Sequence, residues 1–269
     1  MSTRVRVALA GGASLVAALA LLAFVVWPAA SPSDDGGSPA REPHHHTVHL
    51  RGYADGELVN TCTGVLVAPQ WVLTVKHCWS GADSFTAIVG VADWTAAEAD
   101  PDAFVYESST IERQGVGVDL AMIRLDRPVR SDVGVPIPLS AERALPDGMP
   151  VTIAGWGERQ GGVRPVVLDG FTTTVDADCG DWGEPETFTD FLEAGFDQDI
   201  TICTSAIPLG ACTGDSGAPV VFDEAGVSLL VGVVAFGSGE GCSVDPLLPD
   251  GHVAVAPFAE WVESLSGGR

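Results

Sequence analysis

Thr213-Gly214-Asp215-Ser216-Gly217-Ala218-Pro219 sets a serine between two glycines with an aspartate immediately before it. A serine hydroxyl is a weak nucleophile near neutral pH and needs a base and an orienting acid from elsewhere in the chain. Both occur upstream. The candidate base is His77, in Trp71-Val72-Leu73-Thr74-Val75-Lys76-His77-Cys78, directly after a strand-like run. The candidate acid is Asp119, in Gly117-Val118-Asp119-Leu120-Ala121-Met122-Ile123-Arg124-Leu125. An acid in an apolar run is costly to desolvate unless it is hydrogen-bonded, which points to a partner such as an imidazole N–H. Alone, His77 reads as a structural histidine and Asp119 as a surface-facing strand start. Beside the serine motif they read as base and acid.

Chain order then narrows the fold. In α/β-hydrolases the order is Ser, acid, His, with the serine in Gly-x-Ser-x-Gly after a parallel strand. Here the serine comes last, and the fifth position of such a motif is Ala218. From His46 onward the chain is a series of short β-rich runs separated by Gly, Pro and Asp. Examples are Gly64–Val67, Trp71–Thr74, Leu120–Ile123, Val151–Ala154 and Leu229–Val234. Strands at this spacing predict an all-β barrel or sandwich. Phe258-Ala259-Glu260-Trp261-Val262-Glu263-Ser264-Leu265 has helical spacing and predicts a short terminal helix.

The 269 residues suffice for one large or two small domains. Arg4 and Arg6 precede an apolar run from Val7 to Trp27, so residues 1–30 read as a signal peptide or an N-terminal membrane anchor. Residues 31–46, rich in Ser, Pro, Gly, Asp and His, read as a linker or processing region. His44-His45-His46 there is either a metal-binding cluster or a solvated polar stretch. Pro, Asp and Gly concentrate between Pro136 and Pro150, which divides residues 47–140 from residues 141–269. The six cysteines, all beyond the apolar run, read as disulfides in an oxidising compartment. With 36 Asp and Glu against 13 Lys and Arg, the surface repels nucleic acid and anionic lipid.

The order His, Asp, Ser, with Leu-Thr-x-x-His-Cys, Asp-Leu-Ala-Met-Ile and Gly-Asp-Ser-Gly-x-Pro, resembles the chymotrypsin and trypsin family of serine peptidases. Ala154-Gly155-Trp156-Gly157 and Ala235-Phe236-Gly237 before Cys242 extend the resemblance from about residue 34 to the C-terminus. It implies two six-stranded antiparallel Greek-key β-barrels with a short C-terminal helix. It also implies the pairs Cys62–Cys78, Cys179–Cys203 and Cys212–Cys242, the first of which would add roughly 3 kcal/mol through loop closure and fix His77. The implied chemistry is endopeptidase acyl transfer with Ser216 as nucleophile, His77 as base and Asp119 as orienting acid, without metal or organic cofactor. The N–H groups of Gly214 and Ser216 would form the oxyanion hole, and the backbone of Ala235-Phe236-Gly237 would pair with substrate. The implied partners are a polypeptide substrate and an endogenous inhibitor, with no nucleic acid, and with membrane only through an uncleaved N-terminal run. The implied location is secreted, or anchored and facing outward.

Three positions depart from the family pattern. The family's activation motif, Ile-Val-Gly-Gly, is matched by Asp34-Asp35-Gly36-Gly37, with acids where the apolar residues belong and no Arg or Lys before them. In the family the new ammonium pairs with the aspartate before the serine, here Asp215. An aspartate in an apolar pocket is costly, so Asp215 needs another partner or a different new terminus. Lys76 stands where alanine is usual, either reaching solvent or, if buried, lowering the basicity of His77. Ala235 replaces a serine that supports the triad acid.

For specificity, the resemblance implies a primary pocket with Gly210 and Ala211 at its base and walls from Ala235 to Gly237 and the region near Asp250 and Gly251. The small uncharged base predicts a small or apolar substrate side chain. Asp250, in a long Ser243–Gly251 segment, is the alternative, selecting a basic one. The acidic insertion, with Asp181, Glu184, Glu186, Asp190, Glu193, Asp197 and Asp199, reads as a solvated loop or as a guide for cationic substrates. Two rival functions remain, a catalytically silent homologue binding a protein partner through the same cleft and an esterase-like hydrolase.

Overall fold

Asp55-Gly56 adopts left-handed backbone, with φ of 51° and 82°, and makes the two-residue turn whose twist matches its flanking strands. It joins β1 (Thr47–Ala54) to β2 (Glu57–Ala68), in register from Ala54↔Glu57 to Thr47↔Val65. The computed structural model describes residues 45–115, 117–159, 162–177, 179, 199–206, 209–224, 226–237 and 249–267. The N-terminal apolar run, the linker up to His44 and most of the acidic insertion lie outside them.

β2 leads into β3 (Trp71–Thr74), β4 (Ser84–Val89), a helical turn α1 (Pro101–Phe104), β5 (Val105–Ser108), β6 (Thr110–Arg113) and β7 (Ala121–Arg124). These strands form a seven-stranded sheet in the order β5-β4-β1-β2-β3-β7-β6. The six strands expected become seven because one strand-like run breaks at Ser109. β5 then pairs with β4 at one edge, and β6 with β7 at the other. Ser108 marks the bend, its hydroxyl donating to the carbonyls of Thr110 (3.2 Å) and Arg124. Only one residue separates the two edge strands, so the sheet must curl on itself. Val48, Leu50, Leu66, Leu73, Met122 and Ile123 fill its interior and are fully buried.

The second sheet is a closed barrel in the order β10-β13-β12-β11-β8-β9. It comprises β8 (Pro150–Gly155), β9 (Asp169–Asp176), β10 (Thr201–Thr204), β11 (Pro219–Glu224), β12 (Val227–Phe236) and β13 (Asp250–Ala254). Its core is Val151, Ile153, Val220, Val231 and Val234 with their neighbours. Closure leaves no free sheet edge to aggregate. The chain between the sheets is stitched to both, Ile137 N–H donating to Leu66 O (3.0 Å) and Ser140 N–H to Leu230 O (2.8 Å). Helix α2 (Ala259–Ser266) follows β13, buries Val262 against the core of the first sheet, and ends at Gly267 in left-handed conformation (φ 79°). Among the described residues no helix is long and apolar enough to cross a membrane.

Candidate active site

β3 ends at Thr74, and after Val75 the chain turns into a 3-10 turn, Lys76–Trp79, which carries His77. Cys78, next to it, is bonded to Cys62 on β2, so the turn is tied to the neighbouring strand. Asp119 lies two residues before β7, the strand paired with β3 from Trp71↔Arg124 to Thr74↔Ala121. Strand pairing therefore brings the two side chains together. Asp119 Oδ1 accepts the His77 backbone N–H (3.0 Å), and Oδ2 lies 2.7 Å from His77 Nδ1. These contacts leave the other ring nitrogen, Nε2, aimed at Ser216 Oγ at 2.8 Å.

Ser216 reaches that point on a turn between Cys212 and β11. Asp215 N–H donates to Cys212 O (2.8 Å), Ala218 N–H to Asp215 O (2.7 Å) and Gly217 N–H to Val234 O (2.7 Å). The first sheet grips the same turn. Thr63 N–H donates to Ser216 O (2.9 Å) and Thr63 Oγ1 to Gly214 O (2.9 Å), while Thr74 Oγ1 donates to Thr63 O (3.0 Å). Gly217 is required there, since its φ is 82° and a Cβ would lie 2.1 Å from Thr63 O. Gly214 has φ 100°, a conformation that side chains with a Cβ rarely adopt. Among the described residues the N–H groups of Gly214 and Ser216 donate to no protein acceptor, whereas those of Asp215, Gly217 and Ala218 all do. An open cleft of about 480 Å³ passes over these residues, lined by His77, Asp119, Gly214, Ser216, Phe236 and Gly237 among others.

Asp215 points away from the cleft and is fully buried. Its Oδ1 accepts Gly157 N–H (2.9 Å); its Oδ2 accepts Cys212 N–H (3.1 Å) and Arg159 Nη1 (2.9 Å). All three partners are donors, so the geometry suits a carboxylate. Burial pushes its pKa up from the ordinary value, against the pull of Arg159 and the two N–H groups. For Arg159, burial lowers the pKa, but the neighbouring carboxylates more than offset it and the net shift is upward. Gly155 and Gly157 make room for this carboxylate, since a Cβ at either would come within 2.3 Å of it.

The trypsin family model matches residues 34–262. This chain belongs to the trypsin family of serine peptidases. Proproteinase E of Bos taurus is 28% identical over 232 residues, covering 80% of this chain and 87% of that protein. Serine protease 56 of Mus musculus is 31% identical over 228 residues, 77% of this chain but 35% of the longer mouse protein. Brachyurin of Leptuca pugilator is 26% identical over 215 residues, covering 77% and 88% respectively.

Several expectations for a trypsin-family chain land differently here. Lys76 neither reaches free into solvent nor sits buried against His77: its Nζ donates to the carbonyls of Gln114 (3.2 Å) and Gly115 (2.8 Å), which ties the 3-10 turn to the segment leading to Asp119. Cys179–Cys203 is formed, and Cys212 is also disulfide-bonded, its expected partner Cys242 lying outside the described residues. Of the residues expected at the pocket, Ala211, Ala235, Phe236 and Gly237 line the cleft. Asp250 is fully buried and accepts Ala211 N–H (2.7 Å), and a Cβ added at Gly210 would lie 3.0 Å from its Oδ2.

The sequence reading missed Arg159, Asp169, Thr63 and Thr74. A signal existed for Arg159. It is one of 13 Lys and Arg residues and follows Ala154-Gly155-Trp156-Gly157 by two positions, close to a motif already placed near the site.

Proposed function

We propose that this protein is a serine endopeptidase working through an acyl-enzyme. The observation that carries the reading is the line from Asp119 Oδ2 to His77 Nδ1 (2.7 Å) and from Nε2 to Ser216 Oγ (2.8 Å). Asp119 holds the tautomer with the proton on Nδ1, so Nε2 is free to accept. As Oγ bonds to the scissile carbonyl carbon, its proton passes to Nε2, and the imidazolium returns it to the departing amine as the C–N bond breaks. Water then attacks the ester carbonyl carbon and gives a proton to Nε2, which passes it to Ser216 Oγ as the acyl C–O bond breaks, releasing the acid and restoring the free serine. The N–H groups of Gly214 and Ser216 stabilise the oxyanion, each worth about 2.7–4 kcal/mol by comparison with such donors elsewhere.

The primary pocket takes a small or apolar side chain. Ala211, Ala235 and Gly237, all small and uncharged, line the cleft and support this choice. A basic side chain would have to compete with Ala211 N–H for the buried Asp250 carboxylate. The disulfides suit an exported protein, acting on polypeptides outside the cytosol and open to a protein inhibitor in the same cleft. Membrane attachment would come only through the run from Val7 to Trp27.

A fluorophosphonate probe should label Ser216, and the label should vanish in Ser216→Ala and His77→Ala. A folded protein that takes no label would sink the enzyme reading in favour of a binding homologue. Turnover of esters but not of peptides with alanine or valine before the scissile bond would make it an esterase.

A further inference from the structure

We infer that Arg159 is the positioning residue for the Ser216 turn, supplying from inside the chain the positive charge that family members take from a newly cut terminus. This rests on the endopeptidase reading. Asp215 stands between the two N–H groups assigned to the oxyanion hole, so whatever fixes its side chain fixes both of them. Here every contact that fixes it is internal. Gly157 N–H holds Oδ1, and Cys212 N–H and Arg159 Nη1 hold Oδ2.

The arginine is itself built in. Its Nε donates to Asp169 Oδ2 on β9 (2.8 Å), and Nη1 also donates to Gly157 O (3.0 Å) and Glu158 O (3.1 Å). Its backbone closes a turn in which Arg159 N–H donates to Val163 O (3.0 Å) and Gly162 N–H to Arg159 O (3.0 Å). Glu158 N–H reaches Thr213 O (2.8 Å), so the segment carrying Arg159 and the serine turn are joined by backbone as well as by the ion pair. Two acids stand against one guanidinium, and the surplus negative charge faces outward: Asp169 is 22% exposed, Asp215 not at all. The buried carboxylate is thus already matched, and an entering ammonium would have to displace a bidentate-capable cation that is always charged. Asp34-Asp35, which lack the apolar side chains to enter such a site, are consistent with this assignment.

The consequence is a peptidase whose active geometry forms without cleavage of its N-terminal segment. The test is fluorophosphonate labelling of full-length chain, its N-terminus located by mass spectrometry, against a sample trimmed near His45 by limited proteolysis. Equal labelling rates at Ser216 are expected. Labelling only after trimming would overturn the inference, and labelling of neither would overturn the peptidase reading and this one with it. In parallel, Arg159→Leu, checked for native near-UV circular dichroism, should lose about 10²–10³-fold in kcat with KM little changed, and Arg159→Lys should recover most of the loss. A folded Arg159→Leu with wild-type kcat would overturn the assignment. If that variant does not fold, the intact-chain comparison decides alone.

Discussion

Two aspartates face two nitrogen-bearing side chains on opposite sides of one turn, and the contrast between them separates chemistry from scaffolding. Asp119 gives one oxygen to a backbone N–H and the other to His77; Asp215 gives one to Gly157 and the other to Cys212 and Arg159. The recognition is alike, but the depth is not. The Asp119 and His77 side chains are 11% and 44% exposed, whereas Asp215 is 0% exposed. The partners differ as well. An imidazole exchanges its proton near neutrality, and a guanidinium never does. On the function proposed above, one pair moves a proton towards the cleft, while the other can only hold a shape.

The largest effect that would break this comparison lies on the open side. Asp119→Asn keeps the size of the side chain but no longer selects the imidazole tautomer with its proton on Nδ1, and kcat should fall about 10⁴-fold. Stability, read from urea unfolding, should change far less, because the asparagine amide oxygen can still accept the His77 backbone N–H. A variant that unfolds easily but keeps its kcat would make Asp119 the structural member of the two.

Depth also separates the histidines, and gives an acid window. His77 stands in the cleft, while burial lowers the pKa of His49 to about 3, helped by Arg51 and Arg164, and burial alone lowers His252 to about 3. Unfolded, each titrates near 6.5. Between those values the unfolded chain takes up a proton that the folded one refuses, so stability is full above pH 6.5 and falls as the pH drops towards 3. The slope is at most about 1.4 kcal/mol per pH unit for each histidine. His49 stacks on Trp94 at 5.6 Å, and its buried Nδ1 has no hydrogen-bond partner among the described residues. His49→Phe should therefore keep the stacking and remove about one proton from the pH dependence of the urea midpoint. An unchanged slope would show that His49 is already charged in the folded protein.

What could be read from the chain divides along the same line. His77, Asp119 and Ser216 could be picked out because each sits in a short motif, whereas the pairing of β3 with β7 that brings His77 and Asp119 together is encoded in no local run. The apolar runs left barrel and sandwich open and the closed second barrel followed only from the family resemblance, whereas helix α2 was legible from helical spacing. Arg159 was not, because its partner is 56 residues away and an arginine after a strand reads as a surface residue until the barrel closes. The break at Ser109 was hidden for a different reason. Val105 to Arg113 is continuous as a pattern, and only the pairing of its two halves with opposite edges makes it two strands. Asp250 was legible as a residue near the pocket, but its burial and its bond to Ala211 N–H join positions 39 apart in the chain, which no local pattern encodes.

The smallest effect is also the most discriminating, because it applies one change to both sides. At Gly117, two residues before Asp119, an added Cβ meets nothing within 4 Å, but φ is +83°. Gly117→Ala should thus cost only the left-handed backbone, about 1–2 kcal/mol. At Gly157 the Cβ would fall 2.3 Å from Asp215 Cγ. Either the carboxylate moves, giving up Gly157 and Arg159, or the strand does, at about 1–3 kcal/mol. The melting temperatures will not tell the two apart, since about 1 kcal/mol shifts Tm by only 2–4 °C in a domain of this size. Activity will: Gly117→Ala should keep kcat, and Gly157→Ala should lose it, because displacing Asp215 turns the N–H groups of Gly214 and Ser216 away from the oxyanion. If the losses fall the other way round, it is the Asp119 side that is rigidly built, and the Arg159 pair contributes stability alone.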